Sequence, residues 1–118
     1  MAKKRYVVIK VHSKHLTAQK LQQVFERGAL PELAQEMLQN CNEYCPQREG
    51  TLMESGHIED GGKYLVWDTK YAAKVYYTSS QNISKQKNPK AAARWCEVAE
   101  RKYSKHWAEK ATELVQGK

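Results

Sequence analysis

Apolar residues recur at steps of three and four from position 16 to about position 44. This spacing predicts an amphipathic helix that lies on a sheet, and Thr17 supplies a side-chain oxygen suited to its N-cap. Gly28 and Pro31 interrupt the stripe, and Pro31 also removes one backbone donor. The pattern therefore predicts either a kink over 27–30 or two helices that meet there. The stripe stays in phase across Pro31, which favours the kink.

A second helical pattern runs from 91 to 115, with Trp95 and Trp107 on its apolar side. Most of the charged residues fall elsewhere around the cylinder, as in a helix with one buried face. Aromatic residues at helical spacing typically pack in a core, so the two tryptophans are predicted to anchor this helix on the sheet. Gly117 is the predicted end of the helix.

Three shorter stretches have the features of strands. The first, at 6–11, is rich in β-branched residues and, being terminal, is predicted either to lie at a sheet edge or to pair with another chain. The Asp-Gly-Gly run at 60–62 is the strongest hairpin signal, because consecutive residues that tolerate positive φ match the twist of paired strands. One strand is predicted before this turn and one after it, at 63–69, where Leu65 and Trp67 share one face.

Together these elements predict an α+β fold, in which a small, mostly antiparallel sheet is covered by two long helices, one N-terminal and kinked near Pro31 and one C-terminal. The 118 residues are predicted to form a single domain, because a chain of this length buries roughly two-thirds of its surface on folding. Residues 1–5 are expected to form a mobile basic tail. The polar segment 78–90 is expected to be a mobile loop, which either stays disordered or orders when it meets a partner.

The net charge of +7 is unevenly distributed along the chain. Residues 1–15 carry five Lys or Arg and no acid, and residues 84–118 carry nine Lys or Arg against four Glu, whereas the middle of the chain has a net charge of −3. Such polarity attracts a phosphate backbone, an acidic protein or the oppositely charged face of another copy. The alternative is a solvated surface that only keeps the monomer soluble.

Candidate catalytic and metal-binding groups are few. Zinc prefers four tetrahedral ligands, and the candidates are Cys41, Cys45, Cys96 and His57. Because His57 and Cys96 are single and distant in sequence, small buried cysteines are favoured over a metal site. A nucleophile pair of Cys45 and His57 would lack an oxyanion-supplying glycine turn. We therefore expect no enzyme activity, no catalytic residue, no bound metal and no cofactor.

Targeting features are also absent from the sequence pattern. No apolar run has the length of a membrane span, and the apolar stretch near the N-terminus is too brief and too interrupted for a signal peptide. Three cysteines cannot all pair within one chain, which favours free thiols in a reducing compartment.

An aromatic cluster follows the predicted hairpin and includes Tyr71, Tyr76 and Tyr77. Such residues either pack in a core and at its rim or form a surface that receives a neighbouring subunit, where Tyr is enriched. On the second interpretation, the contact residues extend into the adjoining loop, at Ile83, Lys85 and Lys87.

The order and spacing of these motifs resemble the minor capsid protein family of tailed bacteriophages and prophages. Those proteins show a Pro followed by Gly-x-Leu, a Ser-Gly, a hydrophobic strand ending near Trp or Tyr, Thr-x-Tyr-Ala with an aromatic pair, and later Arg-Trp and Trp-Ala. The matching positions, which lie within about 16–115, are Pro46, Gly50, Leu52, Ser55, Gly56, Val66, Trp67, Thr69, Tyr71, Ala72, Tyr76, Tyr77, Arg94, Trp95, Trp107 and Ala108. The chain departs from the family at Lys70, where relatives often have Pro, and in a longer and more basic last helix.

The resemblance implies a non-enzymatic structural protein of the virion with an α+β fold. It implies a head–tail joining or tail-completion role at the neck, in a homo-oligomeric ring commonly of six copies. The partners would be sister copies, the connector or stopper protein and tail proteins, with DNA present only as passing genome and no membrane involved. The protein would lie in the neck or tail of the virion, and in the cytoplasm of the bacterial host during assembly.

A second hypothesis is a small basic nucleic-acid-binding domain. Its phosphate-binding strip would consist of Lys85, Lys87, Lys90 and Arg94, with Tyr76 and Tyr77 as a stacking pair. This hypothesis predicts that the monomer binds DNA or RNA with a steep salt dependence. The ring hypothesis predicts weak nucleic-acid binding and assembly that depends on concentration or on a connector template.

Overall fold

The computed structural model describes residues 7–46, 51–78, 83 and 88–116. Within these residues the strands are β1 (Val7–Lys10), β2 (His57–Glu59) and β3 (Tyr64–Trp67). The helices are α1 (Ala18–Glu26), α2 (Leu30–Asn42), α3 (Thr51–Glu54), α4 (Ala72–Tyr76) and α5 (Trp95–Val115), and a 3₁₀ turn (Asp60–Gly62) joins β2 to β3. The predicted α+β class is confirmed.

The sheet has the strand order β1-β3-β2, and both pairings are antiparallel. The 60–62 turn joins β2 to β3 as predicted, with positive φ at Asp60, Gly61 and Gly62. The central strand β3 is buried, because it pairs on both sides and its inner face meets the core. The N-terminal strand lies at an edge, as expected from its sequence, and Tyr6, which the prediction included, lies outside the described residues.

The N-terminal helical pattern forms two helices, so the favoured prediction of a single kinked helix is wrong. Helix α1 ends before Gly28, whose φ of +72° is a left-handed conformation that terminates a helix. Pro31 lies in the first turn of α2, where no intrahelical donor is required. The prediction of an N-cap at Thr17 is confirmed, since its hydroxyl accepts from the Lys20 backbone N–H at 3.1 Å.

The structure differs from the sequence prediction in one additional helix and in one helix boundary. The mixed apolar spacing after β3 contains the short helix α4, which was not predicted. Helix α5 begins at Trp95 instead of 91, because Arg94 has a left-handed φ of 53° and its N–H donates to the Tyr76 carbonyl at 2.9 Å. This hydrogen bond joins the start of α5 to the end of α4.

The core lies where α2, α5 and the inner face of the sheet meet. Trp67, Trp95 and Trp107 are almost completely buried. The Trp95 ring contacts Trp67 of β3 edge-on at 5.6 Å, so it anchors α5 on the sheet as predicted. Trp107 instead fastens α5 to α2, since its indole N–H donates to Asn40 at 2.7 Å.

Several predictions lie outside the described residues. These are the mobile tail at 1–5, the end of the last helix at Gly117 and most of the 78–90 loop. The described end of that loop is held by hydrogen bonds. The Asn88 side-chain amide donates to the carbonyls of Glu43 and Cys45 at 3.0 Å each, and thereby satisfies acceptors just beyond the end of α2.

Candidate partner-binding surface

Strand β1 has a free edge. The Val11 N–H donates to the Lys63 carbonyl at 2.8 Å, so Val11 points its main-chain groups toward the β3 side. In an antiparallel pair this orientation alternates, and the main-chain groups of Val8 and Lys10 therefore point away from β3. No strand among the described residues pairs with this edge. An edge of this kind is a template for a further strand.

A cleft of about 250 Å³ separates this edge from α5. We call it the β1–α5 cleft. Its strand side is formed by β1 and His12, and its floor consists of core residues of α2, β3 and α5, namely Met37, Cys41, Leu65, Cys96 and Trp107. Tyr76, Glu97 and Glu100 complete the lining. The cleft thus combines an apolar floor with a polar rim.

The helix side of the cleft carries two carboxylates. Glu100 accepts from the Lys14 backbone N–H at 3.0 Å, which holds the segment after β1 against α5. Glu97 forms a long ion pair of 3.6 Å with Arg94. Because both carboxylates are only partly satisfied by these contacts, they remain able to accept from a cationic partner.

Two exposed apolar side chains lie in or beside the β1–α5 cleft. Among the described residues, the exposed large hydrophobic side chains are Val8, Phe25 and Tyr77. Val8 lines the β1–α5 cleft. Tyr77 adjoins it, since its ring lies edge-on to Tyr76 at 4.9 Å and under the Arg94 guanidinium at 5.3 Å. Phe25 lies apart, on α1 beneath the Lys63 ammonium.

The structure separates the sequence-predicted contact residues. Tyr77 is 57% exposed, whereas Tyr76 is 2% exposed and contacts Trp95 at 4.7 Å, so Tyr76 contributes only to the cleft wall. Burial raises the pKa of the Tyr76 hydroxyl. Tyr71 is half-buried and packs against the core, and Ile83 is half-buried. Lys85 and Lys87 lie outside the described residues.

Glu43, just after α2, is the centre of a polar cluster. Its carboxylate accepts from the Lys90 ammonium at 2.7 Å and from the Tyr103 hydroxyl, and Lys102 lies 3.9 Å away. The hydrogen bonds from Lys90 and Tyr103 hold the pKa of Glu43 below its usual value. The hydrogen bond between Tyr103 and Glu43 also raises the pKa of Tyr103 to about 12. This cluster joins α2, α5 and the segment before α5, and it is a structural network.

The candidate zinc ligands do not come together with His57. All three cysteines are buried free thiols, but His57 lies on β2, where it contacts Glu59 at 2.7 Å. Its hydrogen bonds to the Ser55 carbonyl and to Glu59 raise the pKa of His57. Burial raises the pKa of Cys45 and of Cys96, which disfavours the thiolate that a nucleophile needs. No group of three His, Cys, Asp or Glu residues in the described ranges is placed to bind a metal.

The sequence predicted the strand side of the cleft but not its helix side. The β-branched terminal strand indicated an edge, but Val8 was not singled out within it. Glu97 and Glu100 were not singled out, because two acids three residues apart on a helix usually form a solvated face. The placement of that face opposite the β1 edge depends on the path of the chain from α4 to α5.

The fold defines a small α+β protein with a three-stranded antiparallel sheet. A family model described as "Minor capsid protein" matches residues 7–114, and the chain belongs to this family of structural phage proteins. Searches of curated proteins and of solved structures returned no significant match. Among the described residues, no helix has the length and apolar character that crossing a membrane requires. Family membership implies a structural role and a location in the virion.

Proposed function

We propose that this minor capsid protein assembles as a homo-oligomeric ring, of six copies in the virion, at the connector where head and tail join. The observation that carries the proposal is the β1–α5 cleft, where an unpaired strand edge, the exposed Val8 and two carboxylates lie together. The exposed Tyr77 lies against Tyr76 of the cleft wall. A subunit of a ring needs such an interface far more than it needs a catalytic centre.

Ring closure supplies the physical reason for the uneven charge. A head-to-tail contact joins two different faces of one subunit, and it closes when the rotation between copies closes. Residues 1–15 and 84–118 each carry a net charge of +5, and the middle of the chain has −3. Opposite charges on two contacting faces would steer copies into the head-to-tail register and suppress like-to-like contacts. Within the basic C-terminal segment, Glu97 and Glu100 supply local negative charge at the cleft.

In this proposal the other partners are the connector or stopper protein on the head side and a tail protein on the other side. The protein acts in the neck of the virion as a joining or tail-completion part, after assembly in the host cytoplasm, and it performs no reaction. Genomic DNA passes through the ring. Strong binding of phosphate in the lumen would slow ejection, so we assign no lysine to DNA.

The nucleic-acid alternative is less well supported by the described cations. Of its four proposed phosphate ligands, Lys90 pairs with Glu43 at 2.7 Å and Arg94 pairs with Glu97 at 3.6 Å. A carboxylate beside each cation reduces its attraction for phosphate. Tyr76 is buried in the core, and Tyr77 alone offers a ring face for stacking.

Sedimentation velocity over a range of protein and salt concentrations, with and without a short DNA duplex, tests the two proposals. The ring proposal expects mass to increase with protein concentration, or on addition of the purified connector, with closed rings visible by negative-stain electron microscopy. It expects weak duplex binding at 150 mM salt, weaker than about 10⁻⁴ M. A monomer that binds duplex tightly, with a steep salt slope and no assembly on the connector, would establish the alternative.

A further inference from the structure

We infer that the β1–α5 cleft binds the basic N-terminal segment, residues 1–6, of a second copy of this chain, which adds as a strand to the free edge of β1. The inference rests on the proposed function, because it supplies the contact between sister copies in the ring. It names both sides of that contact.

The free edge determines the form of the occupant. Val8 and Lys10 present their main-chain N–H and C=O groups away from β3. An extended segment satisfies such groups along its length, whereas a helix has its own groups already paired. The exposed β1 edge is four residues long, and six extended residues span about 20 Å, which is enough to follow it.

The size of the cleft disfavours a small-molecule ligand. Its volume is about 250 Å³, below the range of roughly 300–1,000 Å³ that is typical of ligand pockets. The floor residues Met37, Leu65 and Trp107 are at most 3% exposed, so the occupant is expected to contact the strand edge and the rim of the cleft.

The carboxylates on the α5 side of the cleft determine which charge the bound segment should carry. Glu97 and Glu100 face the β1 edge across the cleft and favour a cationic occupant over an acidic one. Lys10 and His12 lie on the strand side, and side chains alternate along an added strand, so every second side chain of the occupant is expected to face the carboxylates of α5. The two carboxylates thus favour a positively charged segment and determine which face of it lies toward α5.

Residues 1–6 of the chain have the length and the charge that this site requires. Their sequence is MAKKRY, which contains three cations, no acid and one aromatic residue, and it directly precedes β1. In a ring each copy would supply this segment to its neighbour and receive one in turn, so that the contact is heterologous.

A direct test uses a fluorescently labelled peptide of residues 1–8, titrated into the full-length protein at a concentration where it sediments as a monomer. We expect saturable binding that competes with unlabelled peptide and weakens as salt rises. Replacing Lys3, Lys4 and Arg5 of the peptide by Glu should abolish binding, and a scrambled peptide of the same composition should bind at least about tenfold more weakly.

Variants of the protein locate the binding site. The double variant Glu97→Gln and Glu100→Gln should weaken peptide binding by about fivefold or more at low salt, whereas Glu109→Gln with Glu113→Gln, an equal charge change at exposed positions on α5, should leave it unchanged. Val8→Pro removes an outward N–H without breaking the β1–β3 ladder, so it should abolish binding, while Val8→Ala, which keeps the N–H, should retain most of it. Thermal melting verifies that each variant is folded.

The outcomes separate this inference from the proposed function. If the protein forms rings but the peptide does not bind, or if the control double variant weakens binding as much as the cleft double variant, the strand-addition inference is wrong and the ring proposal stands. If the peptide binds as expected and no rings form on the connector, the inference stands as a contact between copies and the ring proposal is wrong.

Discussion

The indole N–H of Trp107 donates to the side-chain oxygen of Asn40 at 2.7 Å, across 67 positions of sequence. Two residues further along, Asn42 accepts in the same way from the indole of Trp67 at 2.9 Å. The last turn of α2 therefore receives one tryptophan from α5 and one from the central strand. These two amides connect the sheet to the helical layer at the place where α2 ends.

Replacing Asn40 by Ala should destabilise the protein by about 1–3 kcal/mol, because it leaves the buried indole N–H of Trp107 without an acceptor. Chemical unfolding followed by tryptophan fluorescence measures the change. The neighbouring variant Gln39→Ala is the control, since Gln39 is exposed and its replacement should change stability by less than about 0.5 kcal/mol. Equal effects of the two substitutions would show that the hydrogen bond contributes nothing.

The two glycines of the β2–β3 turn should differ sharply in their response to alanine. A Cβ on Gly61 meets nothing within 4 Å, so Gly61→Ala should cost only the left-handed strain of about 1–2 kcal/mol. A Cβ on Gly62 would lie 2.9 Å from the backbone at the start of α2, which is closer than a Cβ contact allows, so one of the two backbone segments would have to shift. We expect Gly62→Ala to cost at least about 2 kcal/mol more than Gly61→Ala in urea unfolding. Similar midpoints would contradict the close packing of this turn on α2.

Acidification should weaken the polar cluster around Glu43. Because the pKa of Glu43 is lower in the folded protein, the stability it contributes is present above its ordinary value of 4.5 and is lost as pH falls through the folded value. Since this carboxylate is partly exposed, we expect an effect of less than about 1 kcal/mol.

The measurement is the difference in melting temperature between pH 6 and pH 3. In Glu43→Gln this difference should be smaller than in the unsubstituted protein, because glutamine does not titrate. Glu109→Gln, at an exposed position on α5, should retain the original pH dependence. If the difference in melting temperature between pH 6 and pH 3 falls equally in both variants, the effect comes from net charge and not from the cluster around Glu43.

The three cysteines should react slowly in the native protein. Cys41, Cys45 and Cys96 are at most 6% exposed, and burial raises the pKa of Cys45 and Cys96, so little thiolate is available near neutral pH. We expect alkylation by iodoacetamide at pH 8 to be about two orders of magnitude slower in buffer than in denaturant. One thiol that reacts rapidly in the native state would revive the hypothesis of a thiol-dependent site.

Tyr77 should contribute to assembly and little to stability. Its ring is 57% exposed but lies against Tyr76 and Arg94, so Tyr77→Ala should lower the free energy of unfolding by about 1 kcal/mol or less. If the ring lies in the subunit contact, the same change should raise the concentration needed for assembly by about tenfold, as at an interface hot spot. Phe25→Ala is the matched control, because Phe25 is 47% exposed on α1 and lies apart from the cleft.

Sequence reasoning predicted the elements whose signals are local. Thr17 caps α1 because its own side chain reaches the Lys20 N–H, and the 60–62 run forms the hairpin turn because its own φ angles allow it. Pro31 was correctly placed at a break, but the pattern alone favoured a kink. A stripe that stays in phase is compatible with one helix or two, and the left-handed φ of Gly28 decides between them.

The chemistry of individual residues thus determined the α+β class, the strands and turn of the sheet, and the helices that bury their apolar faces, since periodicity and backbone preference act over a few neighbouring positions. The tertiary structure alone decided that Tyr76 lies in the core while Tyr77 remains exposed, because α4 rotates adjacent side chains to different environments. It alone brought Glu97 and Glu100 opposite Val8, almost 90 residues away, to form the cleft. Contacts over such separations depend on how the chain returns to the sheet, which no local pattern encodes.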